Sequence, residues 1–171
     1  MCLYANKPTT KILKNLPLTG KLTVWKVFTI SQDYINFKTC MRLKSLSLTG
    51  RYRTQYKYTP GEHGAPDAAI DSYGQVHAGI HVCLTLKEAQ CVLGTYLDDS
   101  ARQIIQLEVD LKDLVAIGHF SDFHKIDHDD QEAVFSKITL TKEVYDDAIA
   151  KATAALRHKR PEVFAGCRKH R

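Results

Sequence analysis

Apolar residues fall into short runs along the chain, and the period of those runs changes from segment to segment. Leu22-Thr23-Val24-Trp25-Lys26-Val27-Phe28-Thr29-Ile30 is rich in β-branched and aromatic residues and alternates poorly at its centre. That pattern predicts a strand buried on both faces. Arg51, Arg53, Gln55 and Lys57 alternate with Tyr52, Thr54, Tyr56 and Tyr58. In a strand this sets the polar residues on one face and the tyrosines mostly on the other. Residues 76–84, 104–109, 114–117 and 133–140 read as further strands. Residues 59–75, with Pro60, Gly61, Gly64, Pro66, Asp71 and Gly74, read as one long loop. Residues 119–131 read as a loop rich in His and Asp.

Two segments carry the helical period. Thr85 and Glu88 have the spacing of a capping box, which predicts a short helix to Leu93 that Gly94 ends. Thr141 opens a second helix to about His158, whose Val144, Tyr145, Ala148, Ile149, Ala152 and Leu156 lie three or four apart. Pro161 prevents its continuation. The expected fold is α+β: a single domain over residues 1–160, a mostly antiparallel sheet of about six strands, and a basic tail over 161–171. Trp25, Val27, Ile80, Val82, Leu107, Val109, Val115 and Ile117 are the expected core, with Ile149 and Leu156 packed on one sheet face.

A chain of 171 residues, 44% hydrophobic and 25% charged, fits one soluble domain. It holds no apolar run long enough to span a membrane, and its opening residues lack the core of a signal peptide. Five cysteines with no Cys-x-x-Cys spacing argue against a disulfide scaffold and for a reducing cytoplasm.

The net charge of +5 conceals three blocks. Residues 1–58 hold eleven basic residues against Asp33 alone, residues 59–150 hold six against seventeen acids, and residues 151–171 hold seven against one. Such blocks either neutralise each other in the fold or leave a basic face for a polyanion. Lys38, Arg42, Lys44, Arg51, Arg53 and Lys57, interleaved with Tyr52, Tyr56 and Tyr58, are the candidate partner-binding residues. Basic groups beside aromatic rings suit phosphates and stacked bases.

Phosphate loops, zinc-protease motifs, nucleophile elbows and EF-hand loops are all missing from the sequence. His77, His81 and Cys83 fall on alternate positions of one predicted strand, a spacing that can begin a zinc site. Packing of His81 and Cys83 on a buried strand face is the simpler reading, and no metal is expected. The cluster His119, His124, Asp127, His128, Asp129 and Asp130 lacks a spacing that orients ligands.

The opening Met1-Cys2-Leu3-Tyr4, the strand Val24-Trp25-Lys26-Val27, and Gly79-Ile80-His81-Val82 followed by Thr85-Leu86-Lys87-Glu88-Ala89 resemble small uncharacterised proteins of bacteriophages and prophages. Leu107-Glu108-Val109-Asp110 with Asp113-Leu114-Val115-Ala116-Ile117 is similar to a segment of phage rapid-lysis B proteins, which carry proline where this chain has Leu111. The resemblance implies a mobile-element accessory protein in a bacterial cytoplasm and carries no assigned reaction. With the uneven charge it leads to the expectation of a protein that binds a host protein, ribonucleoprotein or nucleic acid and uses no cofactor. Inhibition of host defence, as by an anti-CRISPR protein, is one form of this. A more distant resemblance, to the ADP-ribosyltransferase fold, implies the alternative of an enzyme that uses NAD, with His77, His81 and Glu132 at its cleft.

Overall fold

The computed structural model describes residues 3–5, 20–35, 38–45, 57–65, 67–76, 78–94, 101–120 and 132–159. Its spine is the apolar run that begins at Leu22. This run lies within strand β2 (Lys21–Ile35), after β1 (Leu3–Ala5). Val24 and Phe28 on one face of β2 and Val27 on the other are all buried. A strand covered on both sides has no polar face to show, which is why its sequence does not alternate.

The remaining strands are β3 (Lys38–Ser45), β4 (Lys57–Tyr58), β5 (Gly61–Gly64), β6 (Gln75–Val76), β7 (Ile80–Cys83), β8 (Ala101–Asp110), β9 (Leu114–Phe120), β10 (Glu132–Phe135) and β11 (Lys137–Leu140). Nine of them form one sheet in the order β4-β3-β2-β7-β10-β9-β1-β6, with β8 on the other edge of β2. The pairings between its described strands are antiparallel. β5 and β11 make a second, two-stranded sheet.

Helix α1 (Leu86–Gly94) follows β7 directly, and the capping box predicted for it is present. The Thr85 amide donates to Glu88 Oε2 at 2.9 Å, and the Glu88 amide donates to Thr85 Oγ1 at 3.2 Å. Ala89, Val92 and Leu93 of α1 pack with Val27, Cys83, Trp25 and Ile104 on one sheet face. Helix α2 (Lys142–Lys159) begins after Thr141, whose hydroxyl accepts from the Val144 amide at 3.3 Å. Its Ala148 and Ala152 are buried in the main core with Val24, Phe28, Ile80, Val82, Leu107, Val109 and Ile117, and Ile149 packs against them. Among the described residues, two helices on a mainly antiparallel sheet make this an α+β fold in a single domain.

Several expectations change. Residues 133–140 are not one strand: Ser136 divides them. Its amide donates to the Asp113 carbonyl at 2.8 Å and its own carbonyl accepts from the Ala65 amide at 2.7 Å. The chain thereby leaves the large sheet and joins the small one. Residues 61–64, placed in a long loop by their glycines, form β5 because β11 supplies the partner, from Lys137↔Gly64 to Leu140↔Gly61. The short strands β1, β4 and β6 extend the large sheet beyond the longer strands that the sequence predicts. Trp25 and Val115 are partly buried rather than central. The side chain of Leu156 and the tail over 161–171 lie outside the described residues.

Candidate functional site

Gly79 sets the entrance to β7. Its φ is +135°, and a Cβ built there would lie 2.2 Å from Val134 Cγ1. Only glycine meets both conditions, and it lets β7 run close against β10. The register that follows pairs Ile80↔Phe135, His81↔Val134, Val82↔Ala133 and Cys83↔Glu132. Directly opposed residues of an antiparallel pair share a sheet face, as do residues two apart on one strand. His81, Cys83, Glu132 and Val134 therefore share one face, with His81 and Glu132 diagonal across the ladder.

Glu132 is buried, 7% exposed, and its partner on the other side is Gly118 of β9, which has no side chain. His81 is half-buried. Burial, helped by the Lys26 charge, lowers its pKa from 6.5 to about 4, so the imidazole is neutral at pH 7. Cys83 is buried beneath α1.

Lys26 approaches β7 from the opposite face of the sheet, because the Trp25↔Cys83 pair puts Trp25 on the face of Cys83 and turns the next residue of β2 the other way. It is 7% exposed and lies between the fully buried Val24 and Phe28. Its ammonium donates to the His81 carbonyl oxygen at 2.8 Å. It also stands 5.6 Å from the Phe28 ring centre and 5.8 Å from that of Tyr58. Burial brings its pKa down from 10.5 to about 8, and the electrostatic influence of Cys83 and Glu132 opposes that fall. Tyr58 meets Phe28 edge-on at 5.0 Å and His63 at 4.8 Å. His63 Nε2 is 2.6 Å from the Thr59 carbonyl oxygen.

Of the three residues expected at a catalytic cleft, the structure brings His81 and Glu132 onto one face of adjacent strands, and His77 lies outside the described residues. Lys26 was not singled out by its type. The Val24-Lys26-Phe28 phase does mark it, because it sets a lysine on an apolar strand face. Among the described residues, no group of three or more His, Cys, Asp or Glu is placed to hold a metal ion.

The basic candidates lie elsewhere, at the β3–β4 edge of the sheet. Lys38, Arg42 and Lys44 occupy alternate positions of β3, and Lys44 is the register partner of the exposed Lys57. Arg51 and Arg53 lie outside the described residues, as do His124 and residues 127–130. The acidic block reaches the basic one at Lys21–Glu108, an exposed ion pair. Other acids pair within their own neighbourhood, as in Lys137–Glu62 and Lys112–Asp110, both at 3.1 Å. No helix among the described residues is long and apolar enough to cross a membrane.

The chain matches no protein-family profile, no curated protein and no solved structure.

Proposed function

We propose that this protein is a nucleotide-using transferase of the ADP-ribosyltransferase kind, with NAD as the nucleotide and the site at His81 and Glu132. The observation that supports it is the placing of these two side chains on one face of neighbouring strands β7 and β10. The neutral imidazole of His81 suits a hydrogen bond to a ribose hydroxyl. The Glu132 carboxylate supplies negative charge where an oxocarbenium-like sugar develops positive charge. In the reaction, the bond between ribose C1′ and the nicotinamide nitrogen breaks and its electron pair leaves with nicotinamide. An acceptor hydroxyl, amine or water then bonds to C1′ and gives up a proton. Incubation of the protein with NAD, followed by chromatographic measurement of released nicotinamide, tests this reading. Release by the native chain, lost in Glu132→Gln and His81→Ala, is the expected result. No release, together with no NAD binding by calorimetry, would overturn it.

A second reading is favoured by the β3–β4 edge. Lys38, Arg42 and Lys44 take alternate positions of β3, and Lys44 is the register partner of the exposed Lys57. Basic residues gathered along one sheet edge suit a polyanion. This reading makes the protein a phage or prophage accessory protein of the bacterial cytoplasm that binds a host nucleic acid or ribonucleoprotein, with inhibition of host defence as one outcome. Its test is a salt titration of binding to single- and double-stranded nucleic acid. Alanine at Lys38, Arg42, Lys44, Arg51, Arg53 and Lys57 together should weaken binding and flatten its salt dependence. Unchanged affinity would sink it.

A further inference from the structure

One edge of β2 serves two partners. Trp25 pairs with Cys83 of β7, and from Phe28↔Ser45 onward the same edge pairs with β3. Continued by two residues, the β7 register would set Val27 against His81, but the β2–β7 ladder ends at Trp25↔Cys83. The Lys26 ammonium is what meets the His81 carbonyl at this fork. A buried carbonyl needs a donor, and here a side chain provides it in place of the ladder.

Packing alone does not explain a lysine here. An apolar side chain of similar length would fill the space between Val24 and Phe28 without the cost of burying a charge. The ammonium instead lies between the Phe28 and Tyr58 rings and the His81 carbonyl, with the side chains of His81, Cys83 and Glu132 on the far face of the sheet.

We infer that Lys26 is the positioning residue of this site: from the opposite face of the sheet it pins the backbone of His81 where β2 and β7 part. The inference rests on the reading that His81 and Glu132 act together. It adds the means by which β7 keeps its bearing at the point where its neighbour turns away.

The test uses the full chain, isotopically labelled for nuclear magnetic resonance. Lys26→Met removes charge and donor at similar volume, whereas Lys26→Gln removes the charge and keeps an N–H donor. Amide exchange across β7 should speed up about tenfold in the Met variant, the value of one ordinary hydrogen bond, and recover in the Gln variant. The His81 imidazole should titrate at higher pH in both, because the neighbouring cation that opposes its protonation is gone. Unchanged β7 exchange and an unmoved His81 titration in the Met variant would overturn the inference. The native chain gives a second measurement that needs no variant. The His81 carbonyl carbon signal should inflect near pH 8 as Lys26 loses its proton, and a flat signal there would also overturn it. NAD added to the native chain in the same spectra tests the underlying reading separately. If no signals shift at His81 and Glu132, the nucleotide reading fails, while exchange and titration still decide the role of Lys26.

Discussion

Gly79 and Val134 approach so closely that a single methyl group on Gly79 would sit 2.2 Å from Val134 Cγ1. The contact fixes the spacing of β7 and β10, and with it the diagonal relation of His81 to Glu132. Gly79→Ala adds a clash to a backbone conformation, φ +135°, that L side chains rarely adopt. It should cost about 2–4 kcal/mol in a denaturant titration. The double variant Gly79→Ala, Val134→Ala should recover part of the loss, because it relieves the clash and leaves the backbone strain.

Thr85 and Glu88 satisfy each other's amides at the start of α1. Thr85→Ala should lower stability by about 1 kcal/mol, and Thr85→Ser should restore most of it. Thermal melts of the three proteins check this. Equal melting temperatures would mean that packing of Ala89 and Val92, and not the cap, sets the helix start.

His81 gives stability a dependence on acid. Burial first, and the Lys26 charge second, hold its pKa in the fold at about 4 against 6.5 unfolded. The unfolded chain therefore takes up the proton first. The contribution is fully present above pH 6.5 and is lost as pH falls from 6.5 through 4. Denaturant titrations at pH 7.5, 5.5 and 4.5 should show a fall that is clearly shallower in His81→Gln.

Lys26 acts at the alkaline end with the same sign. Burial lowers its folded pKa to about 8 from 10.5, so the unfolded chain holds the proton between these values. Stability should rise as pH goes from 8 to 10.5. Lys26→Met should remove that rise and, at neutral pH, leave the protein at least as stable as the native chain. A Met variant that melts far below the native protein at pH 7 would contradict this.

Much of the architecture is legible in the residues because local chemistry decides it. The Leu22 run, the Thr85–Glu88 box and the Val144–Ala152 stripe each name their element without reference to a partner. β5 and β11 are different. Gly61-Glu62-His63-Gly64 has no strand pattern of its own, and it pairs only because Ser136 turns the chain out of the large sheet. The break at Ser136 is hidden in sequence, since β10 is buried on both faces and its four residues merge with the alternation of β11. His81 and Glu132 were legible as chemistry but not as neighbours, because 51 positions of sequence separate them and only the register of β7 on β10 joins them. Lys26 stayed hidden for the opposite reason: its type says surface, and its phase says core.

The pairing of β2 has a consequence for how the chain is made. Its long ladder runs from Lys21↔Asp110 to Ile30↔Ala101. On a ribosome adding about 5–20 residues per second, the partner strand emerges several seconds after β2. For that interval Val24, Val27 and Phe28 have no β8 to cover them, and closing so long a loop is intrinsically slow. The nascent chain thus passes through a stage in which its most apolar segment is its least protected. Chaperone capture and aggregation compete with folding most strongly at that stage, before α2 has been synthesised.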